Sequence, residues 1–102
     1  MQDVYKALAH PVRRQILAML RERAHTAGEL ADAFDLSKPT LSGHFNVLRE
    51  ADLVSVERTG VTLNYRINLS VAEEALTGLM ELFQIGDETL RTKSAATRRK
   101  GG

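Results

Sequence analysis

The chain has 102 residues, with 14 Lys/Arg against 13 Asp/Glu for a formal charge of +1, and no cysteine. A single domain of this length buries only about 60 to 65% of the surface its unfolded form exposes, and the lack of cysteine excludes disulfides, a thiolate metal site and a cysteine nucleophile. A partner subunit is the remaining source of extra burial, and the longest apolar run, ILAML at 16–20, is too short for a signal-peptide core or a membrane span, so a cytoplasmic protein is expected.

Val4, Tyr5 and Leu8 form a short apolar stripe that predicts a first helix, ending where His10-Pro11 biases the backbone out of the helical region. Pro11 suits the first turn of a second helix, whose apolar positions Val12, Ile16, Met19 and Leu20 face a core and which should end near Arg23. Arg13 and Arg14 lie in its first turn, where the helix dipole disfavours cations, so a salt bridge elsewhere in the body is expected for them in preference to phosphate. Thr26-Ala-Gly-Glu29 is a capping box opening a third helix, with Leu30, Ala31 and Phe34 on one face. Asp35-Leu36 then turns the chain into Ser37, a cap for a fourth helix with Pro39 in its first turn.

After Leu53 the apolar period changes to two. Val54 and Val56 alternate with Ser55 and Glu57, and Leu63, Tyr65 and Ile67 with Thr62, Asn64 and Arg66, around the turn Thr59-Gly60-Val61. The pair reads as an antiparallel hairpin. Ser70-Val-Ala-Glu73 reads as a second capping box, and Leu76, Leu79, Met80 and Phe83 give a last helix a broad apolar face as far as about Leu90. Residues 1–90 carry nine Lys/Arg against thirteen Asp/Glu, a net of −4, whereas residues 91–102 carry five Lys/Arg and no acid. That stretch, RTKSAATRRKGG, is expected to be a disordered basic tail with either a solvating role or non-specific affinity for an anionic polymer.

On a helical wheel, Leu41, Phe45 and Leu48 fall within one narrow arc, flanked by His44 and Val47, while Pro39, Ser42, Gly43, Asn46 and Glu50 fall on the other side. The N-terminal half of that second arc is bare. Such a face suits a helix pressed into the DNA major groove, which is about 12 Å wide and is read mainly by N-terminal residues of the helix. Gly43, in mid-helix, costs about 1 kcal/mol against alanine, which fits a position where close approach matters more than helix stability. Ser37 and the first-turn amides can hold a phosphate, Lys38 adds charge, Ser42 and Asn46 offer groups for base edges, and Arg58 near the hairpin tip can reach flanking DNA.

Three stretches, LAHPVRRQIL at 8–17, TAGELADAFDLSKPTLSGHFNVLREADLV at 26–54 and ERTGVTLNYRIN at 57–68, together about half the chain, resemble the winged-helix repressors of the ArsR type, most closely the SdpR-like autorepressor branch. The resemblance implies a mainly α winged helix-turn-helix with a two-stranded β-hairpin wing, a homodimer, and repression from a palindromic operator. It implies a DNA-binding and dimerisation domain over 1–90, with the recognition helix at about 37–51 in the major groove and the wing at 57–64 on the flanking DNA. The positions matching Lys38, Pro39, Ser42 and Gly43 lie against DNA in that family. The full candidate set is Ser37, Lys38, Pro39, Thr40, Ser42, Gly43, His44 and Asn46 on the helix, with Arg58, Thr59 and Thr62 on the wing. Helices matching 3–9 and 71–90 form the family's dimer interface, which assigns Val4, Tyr5, Leu8, Leu76, Leu79, Met80 and Phe83 to it. Many relatives carry a larger polar residue at Gly43 and a glycine at Asp52.

Metal sensors of this type place cysteines in the helix matching 29–34 or Asp/His pairs on the last helix; here the first reads ELADAF and the second has no histidine, so no metal or other cofactor is expected. His10, His25 and His44 sit on separate elements without ligand spacing. His10 reads as a helix-junction residue, His25 as a loop residue, and His44 as a packed residue that also donates to a phosphate or backbone group. No nucleophile motif or phosphate-binding loop supports catalysis. The net −4 of the body also suits a second reading, a winged-helix module that uses the same face to bind a protein partner.

Overall fold

The structure is a computed structural model that describes residues 2–84. Among them, five helices and three strands follow in the order α1 (Gln2–Leu8), α2 (Pro11–Glu22), β1 (His25–Thr26), α3 (Ala27–Asp32), α4 (Lys38–Glu50), β2 (Val54–Thr59), β3 (Thr62–Ile67) and α5 (Leu69–Phe83). The chain divides into two compact units within α5, residues 1–72 and 73–102. The described part of the second unit is the remainder of α5 and Gln84. The expected basic tail lies outside the described residues.

The core of the first unit is built from one stripe of each helix: Val4 and Ala7 of α1, Ile16, Leu17 and Leu20 of α2, Leu30 of α3, and Leu41, Phe45 and Leu48 of α4. Leu53, Val54 and Tyr65 close it from the sheet side. Leu17 was not part of the apolar pattern expected for α2, where Val12 and Met19 prove only half-buried. Val4 is turned into this core, while Tyr5 and Leu8 stay partly exposed.

Side chains close most helix starts. Nδ1 of His10 accepts from the Val12 amide at 3.1 Å ahead of Pro11, which makes the junction histidine the cap of α2. At α3 both halves of the capping box form, with Glu29 N–H on Thr26 Oγ1 and Thr26 N–H on Glu29 Oε1, each at 3.0 Å. The Thr26 amide, then the Arg23 guanidinium, hold the Glu29 carboxyl below the usual carboxylate range. The second capping box does not form. α5 begins at Leu69, with the Asn68 carbonyl accepting from Ala72, so Ser70 already lies inside the first turn. Asn68 is fixed there because its N–H donates to Leu53 O at 2.8 Å. α5 is described as far as Phe83, followed by a left-handed Gln84 with φ 56°, and the expected run to about Leu90 falls on residues outside the described ones.

The wing is part of a three-stranded antiparallel sheet in the order β1-β3-β2, one strand more than expected. His25 and Thr26 pair with Tyr65 and Asn64, so His25 belongs to a strand and not to a loop. Two residues are too few to show a period in sequence, and only the neighbouring β3 supplies their partners. The hairpin closes on the pair Thr59 and Thr62 through a two-residue loop, Gly60-Val61. Gly60 has φ 63° and Val61 does not share the positive region, the pattern of a type II′ turn that needs glycine first.

The end of α4 forms a Schellman motif with an aspartate in the glycine position. Asp52 N–H donates to Arg49 O at 2.9 Å, Leu53 N–H donates to Leu48 O at 3.1 Å, and Asp52 takes φ 59°. The accompanying apolar contact falls on Leu48 and Leu53, both fully buried. A Cβ in the left-handed region costs on the order of 1 kcal/mol. Asp52→Gly is therefore expected to stabilise the chain by about 0.5 to 1 kcal/mol, a rise in Tm of several degrees measured by circular dichroism.

Candidate nucleic-acid interface

The face of interest exists because α4 is seated on its other side. Leu41, Phe45 and Leu48 are buried at i, i+4 and i+7, and the Phe45 ring meets Tyr65 of β3 with centroids 4.7 Å apart. His44 and Val47 border this stripe and are half-buried. Across the helix, Pro39, Ser42, Gly43, Asn46 and Glu50 are all exposed, as the wheel predicts, and so is Lys38. Small residues of α3, namely Ala27, Gly28 and Ala31, leave a groove of about 290 Å³ beside Lys38 and Ser42, so the face is open from the α3 side as well.

The first turn is more fully occupied than the sequence suggests. Ser37 Oγ accepts from the Thr40 amide at 3.3 Å and donates to Thr40 Oγ1 at 2.9 Å. Leu41 N–H donates to Ser37 O, and Pro39 has no N–H. Among the hydrogen bonds of the described residues, only the Lys38 amide of this turn is left for an anion. The expected phosphate cradle at Ser37 thus shrinks to one amide and one ammonium.

Gly43 is informative for what surrounds it. A Cβ built there meets nothing within 4 Å, so the protein's own packing does not require glycine at this position. In an exposed helix interior the residue is a stability cost of about 1 kcal/mol with no internal return.

Among the described residues, the two arginines of the α2 start make no salt bridge. Arg14 donates to Leu8 O at 2.8 Å, and Arg13 donates through Nε to Ala7 O at 2.8 Å and through Nη2 to Lys6 O at 3.1 Å. Both close the C-terminus of α1, where exposed carbonyls and the dipole favour a cation. The third arm of Arg13, Nη1, stands 3.1 Å from His44 Nδ1, and the His44 ring lies 4.4 Å from that of His10. Burial, then the neighbouring His10 and Arg13, lower the His44 pKa below its usual value. These tertiary destinations have no local sequence signal, since His44 is 31 residues from Arg13.

On the wing, the register sets Arg58 opposite Leu63 on the face shared by Val56 and Tyr65, whereas Thr59 and Thr62 share the other face with Glu57, Asn64 and Arg66. The three expected wing residues therefore divide between the two faces and come together only near the tip. Thr59 Oγ1 accepts from Asn64 Nδ2 at 3.5 Å. Arg66, exposed on the Thr62 face, is a cation that the sequence reading did not select. At the tip Val61 is 96% exposed.

Residues 8–57 match a family model described as a helix-turn-helix domain. The transcriptional repressor SdpR of Bacillus subtilis is 36% identical over 90 residues, which span 88% of this chain and all of that protein. The chain belongs to the ArsR family of winged-helix transcriptional regulators. Solved structures agree with this placement. A crystal structure of an ArsR family transcriptional regulator superposes with a TM-score of 0.69 at 27% identity, covering 81% of this chain and 89% of that one. The transcriptional repressor BigR from Xylella fastidiosa superposes with a TM-score of 0.64 at 32% identity, covering 80% of this chain and 84% of that one. No group of three or more His, Asp or Glu side chains among the described residues is arranged to hold a metal ion, and no described helix is long and apolar enough to cross a membrane.

Because Gly43 has open space around it, Gly43→Ala in this ArsR-family chain is expected to raise unfolding stability by about 0.5 to 1 kcal/mol in a urea titration. A loss of stability instead would mean that the position is constrained from within.

Proposed function

We propose that the chain is a DNA-binding transcriptional repressor that acts in the cytoplasm as a homodimer on a palindromic operator, with α4 in the major groove and the β2–β3 wing on the flanking DNA. The observation that carries this reading is the exposed face of α4, whose middle is a glycine that nothing inside the protein requires. A helix face gains from lacking side chains only if another surface must come close, and the groove of a duplex is such a surface. On that face Lys38 supplies phosphate attraction, Ser42 and Asn46 supply hydrogen-bonding groups for base edges, and Pro39 and Gly43 supply clearance. Arg58 extends the contact along the backbone. The names of the relatives SdpR and BigR, both transcriptional repressors, support the same activity.

Dimerisation is supported by apolar surface that one protomer does not cover. Leu76 is 58% exposed and Phe83 66%, and Leu79 and Met80 are half-exposed on the same helix. Tyr5 and Leu8 of α1 are partly exposed, whereas Val4, expected on the same interface, is buried in the protomer's own core. Two recognition helices related by a twofold should meet half-sites centred about 10 to 11 base pairs apart, or a multiple of that. The SdpR-like character adds autoregulation, with one operator next to the protein's own gene.

Selection from a random duplex pool tests the reading, with an enriched inverted repeat as the expected result. Lys38→Ala should lower the slope of log affinity against log salt by about one for each protomer, equally on all sequences. Ser42→Ala and Asn46→Ala should instead change which bases are enriched, each at a discrimination of about 1 to 3 kcal/mol per contacted pair. An intact dimer that enriches no sequence and forms no competitor-resistant complex at moderate salt would point to a protein partner on the same face.

A further inference from the structure

The Arg13, His44 and His10 cluster has a single consistent proton arrangement. A guanidinium carries only donors, so the 3.1 Å contact between Arg13 Nη1 and His44 Nδ1 requires the Nδ1 lone pair as acceptor. His44 is then neutral, with its proton on Nε2, the ring edge turned away from Arg13. His10 is locked in the same tautomer, because its Nδ1 accepts from the Val12 amide. Arg13 and the His10 ring both face His44 and both act against a charge on it. Arg13 also holds Lys6 O and Ala7 O, so one guanidinium joins the end of α1, the start of α2 and the middle of α4.

We propose that Arg13 is the positioning residue of the DNA-binding face, tying α4 to the α1–α2 corner through a neutral His44, so that proton uptake by His44 loosens α4 and weakens DNA binding. The inference rests on the DNA-binding role proposed for α4. A protonated ring has no acceptor, so the Arg13 bond is lost and a second cation faces the guanidinium, with the His10 ring 4.4 Å away. His44 adjoins Phe45 and stands one turn before Leu48, both buried, so a push at this point acts on the stripe that seats the helix. The sign sets this apart from simple electrostatics. A new cation near the face would by itself attract phosphate and strengthen binding in acid. The cluster gives the opposite trend. Stability follows the same direction: the His44 pKa is lowered in the folded chain, which binds fewer protons than the unfolded one, so stability falls as pH drops below about 6.5.

The test is the affinity of the full chain for its selected duplex by fluorescence anisotropy, from about pH 8 to about pH 4 at constant ionic strength, with folding checked at each pH by circular dichroism. Wild-type affinity is expected to fall about tenfold at one pH unit below the His44 pKa, since only the neutral fraction is competent. His44→Gln keeps an acceptor for Arg13 and cannot titrate, so its profile should be flat across the pH range, whatever its neutral affinity. Arg13→Lys, which cannot reach all three acceptors, should bind more weakly at neutral pH and lose the acid step. A wild-type affinity that is constant or rises in acid overturns the proposal, and so does an acid step that persists in His44→Gln. Nitrogen chemical shifts of His44 give a readout independent of any variant, and a proton on Nδ1 at neutral pH would also overturn it. If no duplex is selected at any pH, the DNA-binding reading itself fails and takes this role with it, whereas a flat profile on a bound duplex removes only the role of Arg13.

Discussion

The burial of Leu41, Phe45 and Leu48 is the constraint on which the rest of the molecule depends. It fixes the rotation of α4 about its axis, and that rotation decides which residues meet solvent. Each such side chain contributes about 1.5 to 3 kcal/mol, and the three together are comparable with the whole stability of a small domain. The seat of the proposed reading face and the core of the protein are therefore the same object. Leu48 extends this downstream by pairing with Leu53, whose carbonyl accepts from Asn68 at 2.8 Å at the start of α5. One apolar row thus orients the helix, launches the wing and sets where the last helix begins.

Polar side chains work at the helix ends. Among the described residues no polar or charged residue is fully buried, while His10, Thr26 and Ser37 cap three starts and Arg13 and Arg14 close an end. This division has a cost for a DNA binder. Arg13 and Arg14 are taken up by backbone carbonyls, and Arg23 stands 3.4 Å from Glu29, so they offer little to phosphate. On the proposed reading, attraction of this net acidic body to a duplex comes from a few local charges, chiefly Lys38 and Arg58, with Arg66 on the other face of the wing. Phosphate contacts of that kind steer and hold register, while the proposed part of the small side chains on α4 is to allow close approach.

What could be read from the chain alone follows from the range of each signal. The two faces of α4 were legible because 3.6-residue periodicity is strong over a 13-residue helix, and the hairpin because alternation and Gly60 agree. Asp52 was marked only through the family resemblance, as a position where many relatives carry glycine, and its left-handed backbone gives the reason. β1 was not legible, since a two-residue strand exists only through Tyr65 and Asn64. The partners of Arg13 were not legible either, because carbonyls and a distant imidazole leave no mark in composition. Ser70-Val-Ala-Glu73 had the right letters for a cap, yet Asn68, held by Leu53, starts the helix two residues earlier. Local chemistry proposed the motif and a tertiary hydrogen bond overruled it.

α1 is seven residues long, too short to persist by itself in water. The carbonyls of its last turn are held by guanidinium groups that exist in place only once α2 has formed. It is a dependent element, unable to act as a folding nucleus, and its amides should open to solvent exchange together with those of the helix that follows.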